Sequence, residues 1–351
     1  MHGAAASSEA TIVAAGVVTA IGYDLQTACA SYRAGIARAS KFEDYMIDSG
    51  DGAPGGDAVT AHATNQLTDG FEGNVRLLRI AAAALEQLPV TPEMLPSLAL
   101  YVVIGDCRSE AEHETARELA MRACVEAGWT QVPAIRFIGG GGHCATARCL
   151  SELIGSSDRA AFNIVLCVDS LLSERRLGQL ESDGALKTDE VPAGLQPAEA
   201  GVALLLSSQP DGGIGSIVAI GELDEAPLAN PDDVYTGAAL DRLLAAAEHK
   251  LGPEVGAHPW VISDQNGEAW RAFDWGSALS RLVGRQSPYA ATQPWFPAIQ
   301  FGDTGSVTGA IGIVTALGAF SRHYAPHPVA TILDSDANKR TAIMLRAGKA
   351  S

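Results

Sequence analysis

Apolar positions along this chain follow two rhythms. Short runs rich in β-branched and aliphatic residues predict strands at Thr11–Ala15, Leu98–Ile104, Ala134–Ile138, Asn163–Val168, Val202–Leu206, Gly215–Ile220, Trp260–Ser263, Ala298–Phe301, Val329–Leu333 and Thr341–Leu345. Between them, apolar residues at every third or fourth position predict helices at Leu25–Ala34, Asn74–Leu88, Ser109–Ala127, Cys144–Ile154, Thr236–Leu251, Glu268–Val283 and Gly305–Ser321. In the helix that begins at Cys144, residues Ala147, Leu150 and Ile154 fall at i, i+3 and i+7, which gives one buried face. Strand and helix alternate, so the expectation is an α/β protein with largely parallel sheets. Val307–Phe320 is apolar all round, but it is too short and too rich in Gly and Ala to span a bilayer, and it reads as a close-packed core helix.

A faint symmetry runs through the pattern. A strand, a short loop and a small-residue helix surround Cys144, and the same succession surrounds Asp303. Two similar halves are therefore expected, residues 1–210 and 211–351, with their junction in the polar stretch Leu206–Gly215. Asp48–Thr68, rich in Gly, Ala and Asp, reads as a long surface loop or insertion.

Composition narrows the function. The chain of 351 residues is 47% apolar and 19% charged, enough to bury a large core. Its net charge of −17 argues against nucleic acid and anionic membrane as partners. The pair Arg175–Arg176 is the one local basic patch considered, and Glu174 and Glu181 flank it. The six cysteines show no CxxC pair and no zinc spacing, so they read as reduced thiols, with no bound metal or cofactor. The first residues carry neither a basic segment nor an apolar one of the secretory kind, and the expected location is cytoplasmic.

Gly139–Gly142 invites a nucleotide-binding reading, which the neighbouring residues exclude. A P-loop needs Gly-Lys-Ser/Thr at the helix start, where this chain has Gly142-His-Cys144. The dinucleotide fingerprint needs a glycine at the place of Cys144, and the Gly-x-Ser-x-Gly elbow is absent. What remains is a thiol at a strand-to-helix turn. There, free N–H groups and the helix dipole favour a thiolate, so Cys144 is a candidate acyl nucleophile; a small buried residue is the alternative. His143 is expected to point away from Cys144 if the segment is extended, as a structural or rim residue.

Four segments, in order, resemble the β-ketoacyl synthases of the thiolase superfamily. They are Ile12-Val-Ala-Ala-Gly-Val-Val-Thr-Ala-Ile-Gly22 with Arg33-Ala-Gly35; His143-Cys-Ala-Thr-Ala147; Val168-Asp-Ser-Leu171 through Pro197-Ala-Glu-Ala-Gly-Val-Ala-Leu-Leu-Leu206; and Phe301-Gly-Asp-Thr-Gly-Ser-Val-Thr-Gly-Ala310. The resemblance implies the five-layer αβαβα thiolase-like fold with two pseudo-equivalent halves, usually a homodimer. It puts the nucleophile on Cys144 and a site-organising glutamate on Glu199. By the same analogy, Asn163–Val168 is the candidate strand for pairing across the dimer axis.

The departures bear on chemistry. Asp264 and Asp303 stand where the resemblance places two catalytic histidines, and Asp334-Ser-Asp-Ala-Asn338 replaces a glycine-rich loop that supplies an oxyanion-hole N–H. Imidazole donors stabilise the enolate oxygen of a decarboxylative condensation, and losing one costs on the order of 10²-fold or more. Two carboxylates would repel that oxygen and raise the Cys144 pKa. If burial kept one of them protonated, Asp264 and Asp303 could act as acid and base. As residues without chemistry, Asp303 would cap a helix and Asp264 would close an Asx-turn with Asn266-Gly267. The aromatics Trp270, Phe273, Trp275, Trp295 and Phe296 read as core or dimer interface rather than an acyl tunnel.

Two readings follow. One is a ketosynthase-like scaffold or adaptor with a degenerate site, acting through a homodimer, another protein partner or an acyl carrier. The other is an acyltransferase or thioesterase-type enzyme that forms a Cys144 acyl-enzyme from a coenzyme A or carrier-protein thioester.

Overall fold

The strands and helices follow one another as β1 (Ala10–Thr19), α1 (Leu25–Arg33), β2 (Ser40–Ile47), β3 (Asp57–Ala61), α2 (Asn65–Thr68), α3 (Gly73–Glu86), β4 (Leu98–Ile104), α4 (Glu110–Glu126), β5 (Ala134–Gly139), α5 (Ala145–Gly155), β6 (Phe162–Ser170), α6 (Glu174–Ser182), β7 (Glu199–Ser207), β8 (Gly215–Asp224), α7 (Ala238–Leu251), β9 (Trp260–Ser263), α8 (Ala269–Gly284), α9 (Ala298–Phe301), α10 (Thr308–Ser321), β10 (Val329–Ser335) and β11 (Lys339–Ala347). The structure, a computed structural model, describes residues 9–47, 57–105, 107, 109–209, 212–226 and 235–348.

Nine strands form one sheet in the order β5-β4-β6-β7-β1-β8-β11-β10-β9. The order contains a repeat. In β4-β6-β7-β1 the first pair is parallel and the next two are antiparallel, and β9-β10-β11-β8 repeats those senses. The two sets meet where Ala10–Ile12 pairs antiparallel with Gly215–Ile217. Helices α5 and α10 pack against each other, α5 against strands of both sets and α10 against β10 and β11. Outside them, α3 and α4 cover one set, and α7 and α8 cover the other. This is the layering of the thiolase-like αβαβα fold.

Local sequence explains the layers. β4 and β7 are apolar along almost their whole length and buried at every position, as strands covered on both faces must be. α10 is buried throughout and stands at the centre. Its Gly312 lets Ile332 approach so closely that a Cβ would lie 2.6 Å from Ile332 Cγ2. Each such Leu or Ile side chain withdrawn from water contributes about 1.5–3 kcal/mol. At the ends, Asp24 caps α1 through Thr27 N–H, and Ser109 with Glu112 forms a capping box on α4.

Several expectations need correction. The sheet is mixed rather than largely parallel, with parallel pairing confined to β5-β4-β6 and β9-β10. Ala298–Phe301 is not a strand but a helical turn, opened by Pro297 and closed by Gly302 at φ +76°. The strand that would match β5 shrinks to a single bridge, where Trp295 N–H donates to Val261 O and Ser263 N–H to Trp295 O. Part of Asp48–Thr68 is regular: Asp57–Ala61 pairs with β2, and Asn65–Thr68 is helical, while residues 48–56 lie outside the described residues. This hairpin packs Phe42, Tyr45 and Ile47 on a small satellite core around Leu177 of α6, an element the pattern did not predict. Finally, β6 cannot pair across a dimer axis, because β4 and β7 occupy both its edges. Among the described residues the sheet ends in β5 and β9; a single bridge from Trp295 covers Ile262 on the outer side of β9, and no strand lies beside β5.

Candidate active site

The turn from β5 into α5 is made by glycine. Gly141 and Gly142 sit at φ +83° and +77°, a region that L side chains rarely adopt. The chain is therefore not extended at His143, and of the two expected roles, structural or rim, its burial excludes the rim. His143 points into the protein, where it lies between Asp264 and Asp303. Its Nδ1 is 3.0 Å from Asp264 Oδ2, and its Nε2 is 3.1 Å from both oxygens of Asp303.

The aspartates are held from other sides as well. Asp264 pairs with Arg271 and accepts Ser335 N–H at 2.6 Å, so it does not close an Asx-turn. That turn belongs to Asn266, whose Oδ1 accepts Glu268 N–H. Asp303 accepts Gly305 N–H at 2.8 Å, an Asx-turn just ahead of the 3-10 turn 305–307, and also accepts Asn266 Nδ2. It is not the expected helix N-cap, since Thr304 holds that position for the 3-10 turn and Val307 for α10.

Protonation follows from the balance of charge. Burial and the Arg271 charge act to lower the His143 pKa, but Asp303 and hydrogen bonds to both carboxylates outweigh them and raise it to about 10. Burial would raise the Asp264 pKa, yet Arg271 and His143 hold it below the ordinary carboxylate range. Asp303 is likewise held down, against burial, by His143, Arg271 and Asn266. The imidazolium and the Arg271 guanidinium thus face the carboxylates of Asp264 and Asp303, and Glu268 Oε2 is a third carboxylate oxygen on Arg271, 3.0 Å from Nε. Asp334 beside them is the opposite case. Burial and the charges of Asp264 and Asp336 push it well above the usual range, and its Oδ2 lacks a hydrogen-bond partner among the described residues. A neutral acid there adds no further negative charge to the cluster.

Cys144 is completely buried at the N-terminus of α5. Its sulfur lies 3.5 Å from Asp334 O and 3.7 Å from Lys339 O. The two N–H groups just ahead of α5, those of His143 and Cys144, are already used by a carboxylate. Asp336 accepts His143 N–H at 2.8 Å and Cys144 N–H at 3.4 Å. Gly142 has to be glycine for this contact, since a Cβ would lie 2.1 Å from Asp336 Oδ1. Burial, then Asp336 and Asp334, raise the Cys144 pKa well above that of a free thiol.

Two features oppose acyl transfer in this conformation: burial and the neighbouring aspartates hold the thiol pKa up, and the N–H groups of His143 and Cys144 are occupied. The cavity against Asp264 and Asp334 measures about 10 Å³, space for about one water. The larger cavities, of about 350, 440 and 890 Å³, are not lined by Cys144.

Glu199 stands apart from this cluster. It pairs with Arg76 and accepts Thr64 N–H at 2.7 Å, both Thr64 and Thr68 hydroxyls at 2.8 Å, and Ser170 Oγ at 3.0 Å. It ties α2 and α3 to β7. Its link to the site runs through backbone, where Ala198 N–H donates to Asp303 O and Asp303 N–H to Gln196 O. The aromatics divide: Trp295 packs with Tyr32, Trp260 and Tyr324, Trp270 lies against Arg271 and Arg340, and Phe273 is exposed. Among the described residues, no group of three or more His, Cys, Asp or Glu could hold a metal, and no helix is long and apolar enough to cross a membrane.

Sequence reasoning missed His143, Arg271 and Asn266 as parts of one site, and it marked Asp334–Asn338 as a site loop without the contacts of Asp334 and Asp336. The run Gly139–Gly142 was the available signal for His143, since consecutive glycines allow a turn that reverses the side-chain direction. Nothing local marks Arg271, which comes from α8.

No protein-family model matches the sequence, and no curated protein matches it. Solved structures do match the fold. A chain of the AntDE:AntF complex, a type II PKS acyl-carrier protein with its ketosynthase bound to the hexaketide, superposes with a TM-score of 0.74 at 14% identity, over 97% of this chain and 99% of that one. The ishigamide ketosynthase/chain length factor gives 0.71 at 14%, with the same coverages. The ketosynthase from module 1 of the bacillaene synthase of Bacillus amyloliquefaciens FZB42 gives 0.68 at 14%, over 99% of this chain and 74% of that one. The protein therefore has the ketosynthase-like thiolase fold. At these identities the likeness is one of fold.

Proposed function

We propose that this protein is a non-condensing, ketosynthase-like subunit that acts as a scaffold or adaptor within a carrier-protein-dependent assembly. The observation that carries this reading is His143 seated between Asp264 and Asp303, with Asp336 on the N–H groups beside Cys144. A condensing site needs imidazole N–H donors aimed at a developing oxyanion. Here the single imidazole directs both nitrogens at protein carboxylates, so neither is left for a substrate.

The partner is proposed to be a second thiolase-fold chain, either another copy or an active synthase. Two points support it. The β5 edge has no strand beside it in this chain, and it presents partly buried Ile135 and Phe137. One structural neighbour is a ketosynthase/chain length factor and another contains an acyl-carrier protein. Location in the cytoplasm and a carrier-protein partner belong to the same proposal.

Intact-protein mass spectrometry after incubation with acyl-coenzyme A and acyl-carrier thioesters tests it, with Cys144→Ala in parallel. The expected result is no adduct from any donor. An adduct on the wild-type chain that Cys144→Ala lacks would replace this reading with acyl transfer through Cys144.

A further inference from the structure

The described residues form a second concave feature that shares nothing with the Cys144 cluster. Between α1 and the C-terminal end of α10 lies a cavity of about 890 Å³, within the size range of small-molecule sites. Its walls are largely apolar, built from Leu25, Cys29, Ala30, Ile214, Leu317 and Gly318. Gly318 opens this space from below, because a Cβ there would strike Cys29 Sγ at 2.3 Å and approach Tyr324 Oη at 3.9 Å.

The rim is cationic. Arg33 and Arg322 line it, and among the described residues no acidic side chain does. In a chain of net charge −17 that separation is notable. Arg322 donates to Gln26 Oε1 at 3.1 Å, which is neutral. The Arg33 guanidinium lies 4.0 Å from the centre of the Tyr324 ring, which holds it at the mouth, and it forms no ion pair among the described residues. The nearest carboxylate along α1, Asp24, is engaged by Thr27 N and Oγ1. Tyr324 supplies a further sign: its hydroxyl is buried and finds no hydrogen-bond partner among the described residues. A buried phenol ordinarily has one. Ser321 Oγ is already committed to Gly318 O at 3.1 Å.

We propose that this cavity binds an amphipathic carboxylate. The apolar tail would lie along Leu25, Cys29, Ile214 and Leu317, and the carboxylate would sit between Arg33 and Arg322. The planar guanidinium fork matches a carboxylate's two oxygens. The apolar majority of the walls favours a long hydrocarbon tail over a small polar anion.

Titration calorimetry on the full chain tests this with decanoate, 1-decanol and decyl phosphate as probes, below their aggregation concentrations. The expected result is one saturable site for decanoate that is at least about tenfold weaker for 1-decanol. Arg33→Gln and Arg322→Gln should each weaken decanoate by about tenfold, the scale of a charge-assisted hydrogen bond. Ala30 is exposed on α1 at the cavity wall, so Ala30→Trp should block the site while retaining both arginines. Circular dichroism and melting curves confirm that each variant is folded. Equal affinity for 1-decanol, decyl phosphate binding without decanoate, indifference to all three substitutions, or no binding at all would each overturn the proposal.

Discussion

The two ends of α10 handle charge in opposite ways. Ahead of its N-terminus, buried Asp303, His143, Asp264 and Arg271 satisfy one another. Near its C-terminus, Arg33, Arg322 and the Tyr324 hydroxyl border a large cavity with no acid on its wall among the described residues. One end is closed and self-neutralising, and the other is open and short of an anion. Resemblance to an enzyme family directs attention to the first end, yet partner accounting points to the second. A group whose hydrogen bonds and charge are already met inside the protein has little left to offer a ligand.

The largest effect should come from breaking the closed end. His143→Leu removes the imidazolium and leaves two buried carboxylates with Arg271 as their one remaining cation. A destabilisation of about 3–5 kcal/mol is expected in urea unfolding. A loss under about 1 kcal/mol would mean that the backbone donors and Arg271 suffice, and that the imidazole is not what closes the site.

The pH dependence comes next. His143 has a folded pKa raised to about 10, so its contribution is complete below the unfolded value near 6.5 and is lost as pH rises through about 10. Asp264 and Asp303 have lowered pKa values. Their contribution is present above the unfolded carboxylate pKa and disappears as pH falls through their folded values. Asp334, raised, works against stability progressively above its unfolded pKa, because it stays protonated in the fold. Maximal stability should therefore lie on the acidic side of neutrality, and Asp334→Asn should flatten the decline towards pH 7. Unfolding free energies measured from pH 4 to pH 9 would show both features, whereas a maximum at pH 8 or above would contradict the assigned charges.

Asp336→Ala should cost about 0.5–2 kcal/mol, the range for a lost N-terminal cap. It should also make Cys144 alkylate faster with iodoacetamide, because it frees two N–H groups and removes an anion. An unchanged rate would show that burial alone silences the thiol. At the edge of the sheet, Arg136→Pro places a proline where β5 has no paired residue opposite in β4. Light scattering should show any dimer built on β5 dissociating, with little change in the monomer's fold. The smallest effect belongs to the open end: without ligand, Arg33→Gln should alter stability by less than about 0.5 kcal/mol.

The hydrophobic pattern alone was enough to place β4, β6, β7 and α10, because burial on both faces imposes long apolar runs, and it also placed β5, which is only partly buried. It failed for β2 and β3, whose exposed hairpin carries a weak apolar signal, and for α9, where Pro297 and Gly302 override an apolar stretch. The candidate site was legible as the positions Cys144, Asp264 and Asp303, through resemblance and not through periodicity.

The sequence by itself determined which segments become strands and helices, that a thiol begins α5, and that the two expected histidines are aspartates. Each of these depends on residues close together in the chain. Only the tertiary structure decided that His143 turns inward to join those aspartates, that Asp336 covers the N–H groups just ahead of α5, and that β5 rather than β6 keeps a free edge. Such pairings link segments more than a hundred residues apart. Their charges become strongly coupled only after folding removes the water between them.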